Sequence, residues 1–270
     1  MVRPRRAVVL ALSLFAFGCG GGQPKETRDG PDKPSNGRIH GVVRLQGAPP
    51  APARKAITQD QQVCGKTVSL PRLVLGKNNG VQHTFVFLDG VTGGAPPAHP
   101  SQPVLVDQKD CQYTPHMLIV TAGAKIQITN SDPILHNVHG YQVTDQGPQT
   151  LFNIAQPVRG QQTMVDTPLS KPGIILLACE AGHPWMSGYV FVADHPYVSL
   201  TNADGEFTIP NVPPGTYHLK MWHEGVTLKR NIKSLQRYEY EEPYENILEV
   251  AVQPGADAGV NFDLALRPAN

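Results

Sequence analysis

The sequence lacks several features that would place it in a common class of proteins. Its 270 residues contain no internal repeat, no coiled-coil pattern and, after residue 17, no apolar run long enough to span a bilayer. After the first six residues no basic cluster is present, and the 23 Lys and Arg residues of the chain are balanced by 22 Asp and Glu residues, so nucleic acid is a poor candidate partner. No Ser-His-Asp set, phosphate-binding loop or paired-carboxylate site is recognisable. We therefore predict that the chain is not an enzyme.

The N-terminus has the pattern of an exported protein. Three arginines within residues 1–6 precede residues 7–17, which are apolar except for Ser13 and too short to span a bilayer. The following Ala-Phe-Gly-Cys resembles the bacterial lipobox, which implies removal of residues 1–18 as a signal peptide and lipidation of Cys19. We predict an extracytoplasmic protein, in the periplasm or at the cell surface, held on a bacterial membrane by its lipid anchor. The alternative is an ordinary cleaved signal peptide with an incidental cysteine.

The segment after the signal is small and polar, so residues 19–37 are predicted to form a flexible tether. Removal of residues 1–18 takes away three arginines and leaves 20 basic and 22 acidic residues, a formal net charge of −2. The remaining chain is long enough for one large or two modest domains.

Only four cysteines are present, Cys19, Cys64, Cys111 and Cys179. Export places them in an oxidising compartment, where thiols tend to pair. If Cys19 is acylated, at least one of the other three is outside any intramolecular disulfide. We predict a Cys64–Cys111 disulfide that ties the N-terminal stretch to the fold; two free thiols or a second metal site are the alternatives. Metal ligation is the most economical reason for a lone Cys179.

The rest of the composition favours an all-β protein. Glycine and proline number 26 each, and short β-branched and aromatic runs lie between them. Strands are predicted at 39–45, 72–75, 84–88, 117–121, 125–129, 173–178, 188–192, 206–209, 217–222, 248–252 and 260–266. The texture changes near residue 196, so we predict a Greek-key β-sandwich at 38–196 and a smaller β-sandwich at 197–270.

One loop carries the residues that indicate chemistry. Cys179, His183 and Met186 lie within eight residues between two predicted strands, so a single loop can direct a thiolate, an imidazole and a thioether to one point. A fourth ligand is expected in residues 130–139, which follow another strand and contain two histidines. Two histidines, one cysteine and a weak axial methionine form the blue-copper ligand set, which lets one electron move with little rearrangement.

These motifs resemble those of the cupredoxins, closest to the plastocyanin and amicyanin branch. The resemblance depends on His-Asn-Val-His at 136–139 and on Cys-Glu-Ala-Gly-His-Pro-Trp-Met at 179–186. It implies that one type 1 copper is held by His136, Cys179, His183 and an axial Met186. It also implies that Asn137 braces the Cys179 loop and that His183 lies near the surface as the exit for the electron.

The loop departs from the amicyanin pattern by one extra residue between cysteine and histidine. Ile175 stands where a binuclear copper loop has a second cysteine, which disfavours such a centre. His139 is not expected to be a ligand, because residues three apart on an extended segment face opposite sides. His116 is expected to make a structural hydrogen bond.

The C-terminal part resembles the carboxypeptidase regulatory-like, transthyretin-like β-sandwich. The resemblance depends on Asp-Gly-Glu-Phe-Thr-Ile at 204–209 and Val-Pro-Pro-Gly-Thr-Tyr-His-Leu at 212–219, and it implies a fold without an activity. Such folds often begin with a strand like Gly41-Val42-Val43. An alternative arrangement is therefore that this N-terminal strand belongs to the C-terminal sandwich and that the copper domain is inserted between the two. Trp222 is expected in a core, with His223 and Glu224 on the surface; in the alternative, these three residues face the predicted copper domain.

The predicted function is that of a one-electron carrier. Its redox partner would be a protein such as a cytochrome or another copper protein, and we expect the carrier to be a monomer. The alternative is a module without electron transfer, either a copper buffer or delivery protein or a surface adhesin.

Overall fold

The computed structural model describes residues 35–70, 72–91, 102–167, 169–232 and 237–267, without the side chains of residues 230–232. Helix is confined there to α1 (Gln61–Cys64) and a 3-10 turn at Lys77–Asn79. The strands of the first half are β1 (Gly37–Gln46), β2 (Ala53–Ala56), β3 (Thr67–Leu70), β4 (Phe85–Asp89), β5 (Val104–Lys109), β6 (Gln112–Thr114), β7 (Met117–Thr121) and β8 (Ile126–Asn130). Those that follow are β9 (His136–Gln142), β10 (Gln149–Gln156), β11 (Gln162–Met164), β12 (Gly173–Ala178), β13 (Ser187–Ala193), β14 (Val198–Leu200) and β15 (Glu206–Val212). The last are β16 (Gly215–His223), β17 (Leu228–Ile232), β18 (Arg237–Tyr240), β19 (Tyr244–Val252), β20 (Asp257–Gly259) and β21 (Phe262–Ala265).

The protein is all-β, as predicted, and one sandwich is built from the middle of the chain. Its five-stranded sheet has the order β10-β9-β12-β13-β7, and its four-stranded sheet has the order β11-β8-β5-β6. Two pairs are parallel, β13 with β7 and β5 with β8. Alternate side chains of the two sheets form one buried cluster that includes Val106, Ile128, Val138 and Val190.

The second sandwich takes strands from both ends of the described chain. β1 pairs with β15, β20 and β21, whereas β4 lies between β14 and β16, with β19 at the edge beyond β16. Ile39, Val43 and Leu88 from the early strands share its core with Leu219 and Phe262 from the late ones.

These pairings depart from a sequential division into residues 38–196 and 197–270, and they follow the interleaved arrangement. The alternating apolar residues of β1 and β4 are buried against the C-terminal strands, so the first sandwich is inserted between β4 and β14. β1 also begins at Gly37, a residue that the sequence places in the tether.

Most sequence-predicted strands are present, but residues 72–75 form no strand and take part only in an isolated bridge between Leu75 and Val81. The predicted signal peptide and Cys19 lie outside the described residues. Within the described part of the chain, no helix is long and apolar enough to cross a membrane.

Candidate metal centre

Three of the predicted ligands meet at one end of the first sandwich. His136 is the first residue of β9, Cys179 follows β12, and His183 lies in the loop that leads to β13. The Cys179 Sγ atom is 3.8 Å from His136 Nδ1 and 3.6 Å from His183 Nδ1, and the two Nδ1 atoms are 3.1 Å apart. All three side chains are fully buried.

The two imidazoles are oriented by carboxylates on their far sides. His136 Nε2 is 2.9 Å from Asp132 Oδ2, and His183 Nε2 is 3.1 Å from Asp60 Oδ2. Because a carboxylate oxygen accepts hydrogen bonds, Nε2 is the ring nitrogen that donates in each histidine. Each Nδ1 then presents a lone pair toward the other and toward Cys179.

This donor set fits a bound cation. Two lone pairs 3.1 Å apart repel one another unless a positive ion lies between them. Bonds of about 2.0 Å to nitrogen and about 2.3 Å to sulfur place the donors of a trigonal site roughly 3.5 Å apart. The observed 3.1–3.8 Å spacings match this, and the soft thiolate with two imidazoles suits copper.

Met186 closes the loop that carries Cys179 and His183. Its N–H donates to the His183 carbonyl at 3.0 Å, and its carbonyl accepts from the Cys179 N–H at 3.2 Å. The side chain is buried in the same cluster as Cys179 and Trp185. The loop is therefore a tight turn with an apolar lining on the side of Met186.

Asn137 braces the loop in the way that the cupredoxin resemblance implies. Its Oδ1 accepts a 2.6 Å hydrogen bond from the Glu180 N–H, and its Nδ2 donates to Asn153. His139, on the other side of β9, contacts Glu180 and Thr150 and takes no part in the cluster of donors. The alternation of side chains along β9 accounts for this difference from His136.

Burial and hydrogen bonding set the ionisation of the site. Burial raises the pKa of the Cys179 thiol to about 11. Burial and the neighbouring His136 lower the pKa of His183, which keeps this imidazole neutral. Burial opposes ionisation of Asp132, but hydrogen bonds from the Cys111 N–H and His136 outweigh it and hold its pKa below the ordinary value.

The expectation that His183 lies near the surface is wrong. Its side chain has no exposed area, because a segment before β3 lies over its outer edge. Asp60 contacts Nε2, and Gln59 packs on Gly182 and donates to the Ala181 carbonyl. The disulfide between Cys64 and Cys111 joins this segment to the first sandwich.

The second sandwich holds the other side of the loop. Arg72 is buried in an ion pair with Glu224 and donates to Ser187 Oγ at 2.8 Å, next to Met186. Glu224 Oε1 also accepts a 2.5 Å hydrogen bond from His116 Nε2. The Tyr238 N–H, from β18, donates to the Pro184 carbonyl at 2.9 Å. The loop of residues 179–186 is thus enclosed on several sides.

Trp222 is packed in a core, as expected, but His223 and Glu224 are not the expected surface pair. All three are buried, and Trp222 packs with Phe85 against Met117 and Phe191 of the first sandwich. Burial, and then the charge of Arg72, lower the pKa of both His223 and His116 to about 3, so both are neutral at physiological pH.

Sequence reasoning missed the carboxylates behind the two imidazoles. Asp132 had a local signal, since it lies four residues before His136 in the same loop. Asp60 had none: 123 residues separate it from His183, and only the fold brings them together.

Comparison with known proteins gives matches to parts of the chain. A family model described as polysaccharide lyase family 4, domain II, matches residues 183–234, which is less than half of the chain. It is not the carboxypeptidase regulatory-like model, so that resemblance stays a prediction. A search of curated proteins finds no match.

Three solved structures are similar to part of this chain. A copper-containing nitrite reductase from Thermus scotoductus SA-01 is 24% identical, with a TM-score of 0.29, over 38% of this chain and 25% of that one. The novel purple cupredoxin from Nitrosopumilus maritimus is 22% identical, with a TM-score of 0.28, over 33% and 99%. A reduced amicyanin mutant is 22% identical, with a TM-score of 0.29, over 40% and 98%. The chain thus spans a quarter of the length of the nitrite reductase.

Proposed function

We propose that the chain binds one type 1 copper ion through His136, Cys179, His183 and an axial Met186, and that it serves as a one-electron carrier. The observation that carries this proposal is the convergence of Cys179 Sγ and two histidine Nδ1 atoms within 3.1–3.8 Å in a buried pocket. When bound, copper supplies a couple that exchanges a single electron.

The chain's own residues would hold that couple in a fixed, dry geometry. Strands β9, β12 and β13 carry the donor residues at their ends, and Asn137 restrains the loop between the last two. Because the pKa of the free thiol is about 11, formation of the thiolate on metal binding releases a proton from Cys179. A rigid set of two imidazoles, one thiolate and one thioether then needs little reorganisation when the electron moves.

A second candidate function is favoured by the burial of His183. A carrier is expected to expose one ligand edge to its partner, whereas this edge lies beneath Gln59 and Asp60. A copper-holding module without electron transfer has no need of an exposed edge.

Redox titration separates these two functions. If the chain is a carrier, copper-loaded protein should titrate reversibly with one electron and should exchange electrons rapidly with a soluble cytochrome c in stopped-flow measurements. Slow exchange with intact copper binding would contradict the carrier and favour the copper-holding module.

The anchor is proposed from the sequence alone. Lipidation of Cys19 would keep the copper site near a membrane, where a cytochrome or another copper protein is the expected partner of a monomeric carrier. Mass spectrometry of the native protein should show a lipid-modified chain that begins at Cys19. A soluble form that begins at another residue would contradict this proposal.

A further inference from the structure

A segment of chain outside both sandwiches completes the surroundings of His183. We define the cap as residues 57–64. Within it, Asp60 Oδ2 lies 3.1 Å from His183 Nε2, and Gln59 Nε2 lies 3.3 Å from the Ala181 carbonyl. The Asp60 side chain keeps 23% exposure, so the cap is the layer between His183 and solvent.

The cap is fastened at both ends. Ile57 is buried in the core of the first sandwich, and its N–H donates to the Lys66 carbonyl. At the other end, Cys64 is bonded to Cys111, whose carbonyl accepts a 3.1 Å hydrogen bond from Trp185 in the loop of residues 179–186. The position of the cap relative to His183 is therefore set by covalent and packing contacts.

Asp60 has an unusual backbone conformation for a residue in that position. Its φ of 54° and ψ of 33° are left-handed, a region that Asp and Asn adopt more readily than other non-glycine residues. The Val63 and Cys64 N–H groups donate to its carbonyl at 2.9 Å and hold the turn. The turn directs a carboxylate, rather than backbone, toward the imidazole.

We infer that Asp60 is a positioning residue of the metal centre, one that acts through His183. This inference rests on the proposed function. Its carboxylate holds the Nε2–H form of His183, so the Nδ1 lone pair faces Cys179, and it strengthens that nitrogen as a donor. Asp132 does the same for His136, so both imidazoles are backed by a carboxylate. Stronger nitrogen donors favour Cu(II) over Cu(I), and the cap therefore lowers the reduction potential.

The matched test is Asp60→Asn, because asparagine keeps the shape and tolerates the left-handed turn while it removes the charge. We expect the ratio of Cu(II) to Cu(I) affinity to fall about tenfold, which raises the potential by about 59 mV. Thermal unfolding is measured alongside and should change little. Asp110→Asn is the matched control and should leave the potential unchanged, because it removes the same charge from an exposed residue that also has a left-handed backbone.

A second readout needs no metal. Long-range 1H–15N spectra of the metal-free protein should show His183 as the Nε2–H tautomer in the wild type and as a mixture of tautomers in Asp60→Ala. A wild-type His183 with its proton on Nδ1 would overturn the inference whatever the protein binds. An Asp60→Asn potential equal to that of Asp110→Asn would overturn it while the copper assignment stands. A wild-type protein without a thiolate-to-copper band would instead contradict the proposed function.

Discussion

Copper-loaded Cys179→Ser protein is expected to lack the intense visible band that we expect of the copper-loaded wild-type protein. The band arises from charge transfer between a short thiolate bond and Cu(II), and a serine oxygen cannot supply it. Cys179 is the one free cysteine among the described residues, and its Sγ lies within 4 Å of both histidine Nδ1 atoms. Absorption spectra at equal copper stoichiometry provide the measurement.

The neighbouring variants make this test specific. His136→Ala and His183→Ala should open a coordination position and weaken copper binding, whereas Met186→Leu should keep the colour and raise the potential. His139→Ala is the matched control, since its ring contacts Glu180 and Thr150 on the other face of β9. Bleaching by His139→Ala but not by His136→Ala would contradict the choice of ligand, and a colourless wild-type Cu(II) complex would contradict the blue-copper assignment.

Glu224→Gln is expected to destabilise the protein by about 3–5 kcal/mol, because it leaves the Arg72 guanidinium buried without its counter-charge. The side chains of Arg72 and Glu224 are 5% and 0% exposed. The same substitution weakens the hydrogen bond between His116 and Glu224. It also leaves Arg72, which donates to Ser187 Oγ next to Met186, without its charged partner, so the polar contact with the loop is weakened. Urea denaturation of the metal-free protein measures the change in the free energy of unfolding.

An exposed ion pair offers the control for this prediction. Lys229 and Glu242 lie 3.2 Å apart but are 47% and 81% exposed, so Glu242→Gln should cost less than about 1 kcal/mol. Equal changes in the free energy of unfolding for the two substitutions would contradict the prediction that burial makes loss of the Arg72–Glu224 pair more costly.

Local patterns in the sequence were enough for about half of the strands and for the approximate site, but they did not predict β5, β10 or β9, the strand that begins with His136. The predicted strands at 117–121 and 173–178 have the observed bounds, because short continuous apolar runs are flanked by turn residues there. The spacing of Cys179, His183 and Met186 was informative because these residues occupy one short loop. The strand predicted at 72–75 was wrong, since only Leu75 takes part in a β-bridge there. Arg72 instead lies in a buried ion pair with Glu224, which no local pattern records.

The long-range features escaped sequence reasoning for a common physical reason. The burial of His183 depends on Gln59 and Asp60, and the burial of Glu224 depends on Arg72 and His116. Each of these contacts joins segments more than a hundred residues apart, and their formation is a property of the assembled sheets.

The insertion of one sandwich within another has a consequence for the order of folding during synthesis. β1 and β4 leave the ribosome before the inserted sandwich, whereas β15, β16 and β19, with which they pair or share a core, leave after it. Until the later strands are available, the edges of β1 and β4 are unpaired, and unpaired strand edges are prone to aggregation. Once the inserted sandwich has folded, the strands on either side of it, β4 and β14, are close in space, as the pairing of Phe87 with Val198 requires. Closure of the outer sandwich then costs less chain entropy than the sequence separation suggests, so the inserted sandwich acts as an internal template for the fold that surrounds it.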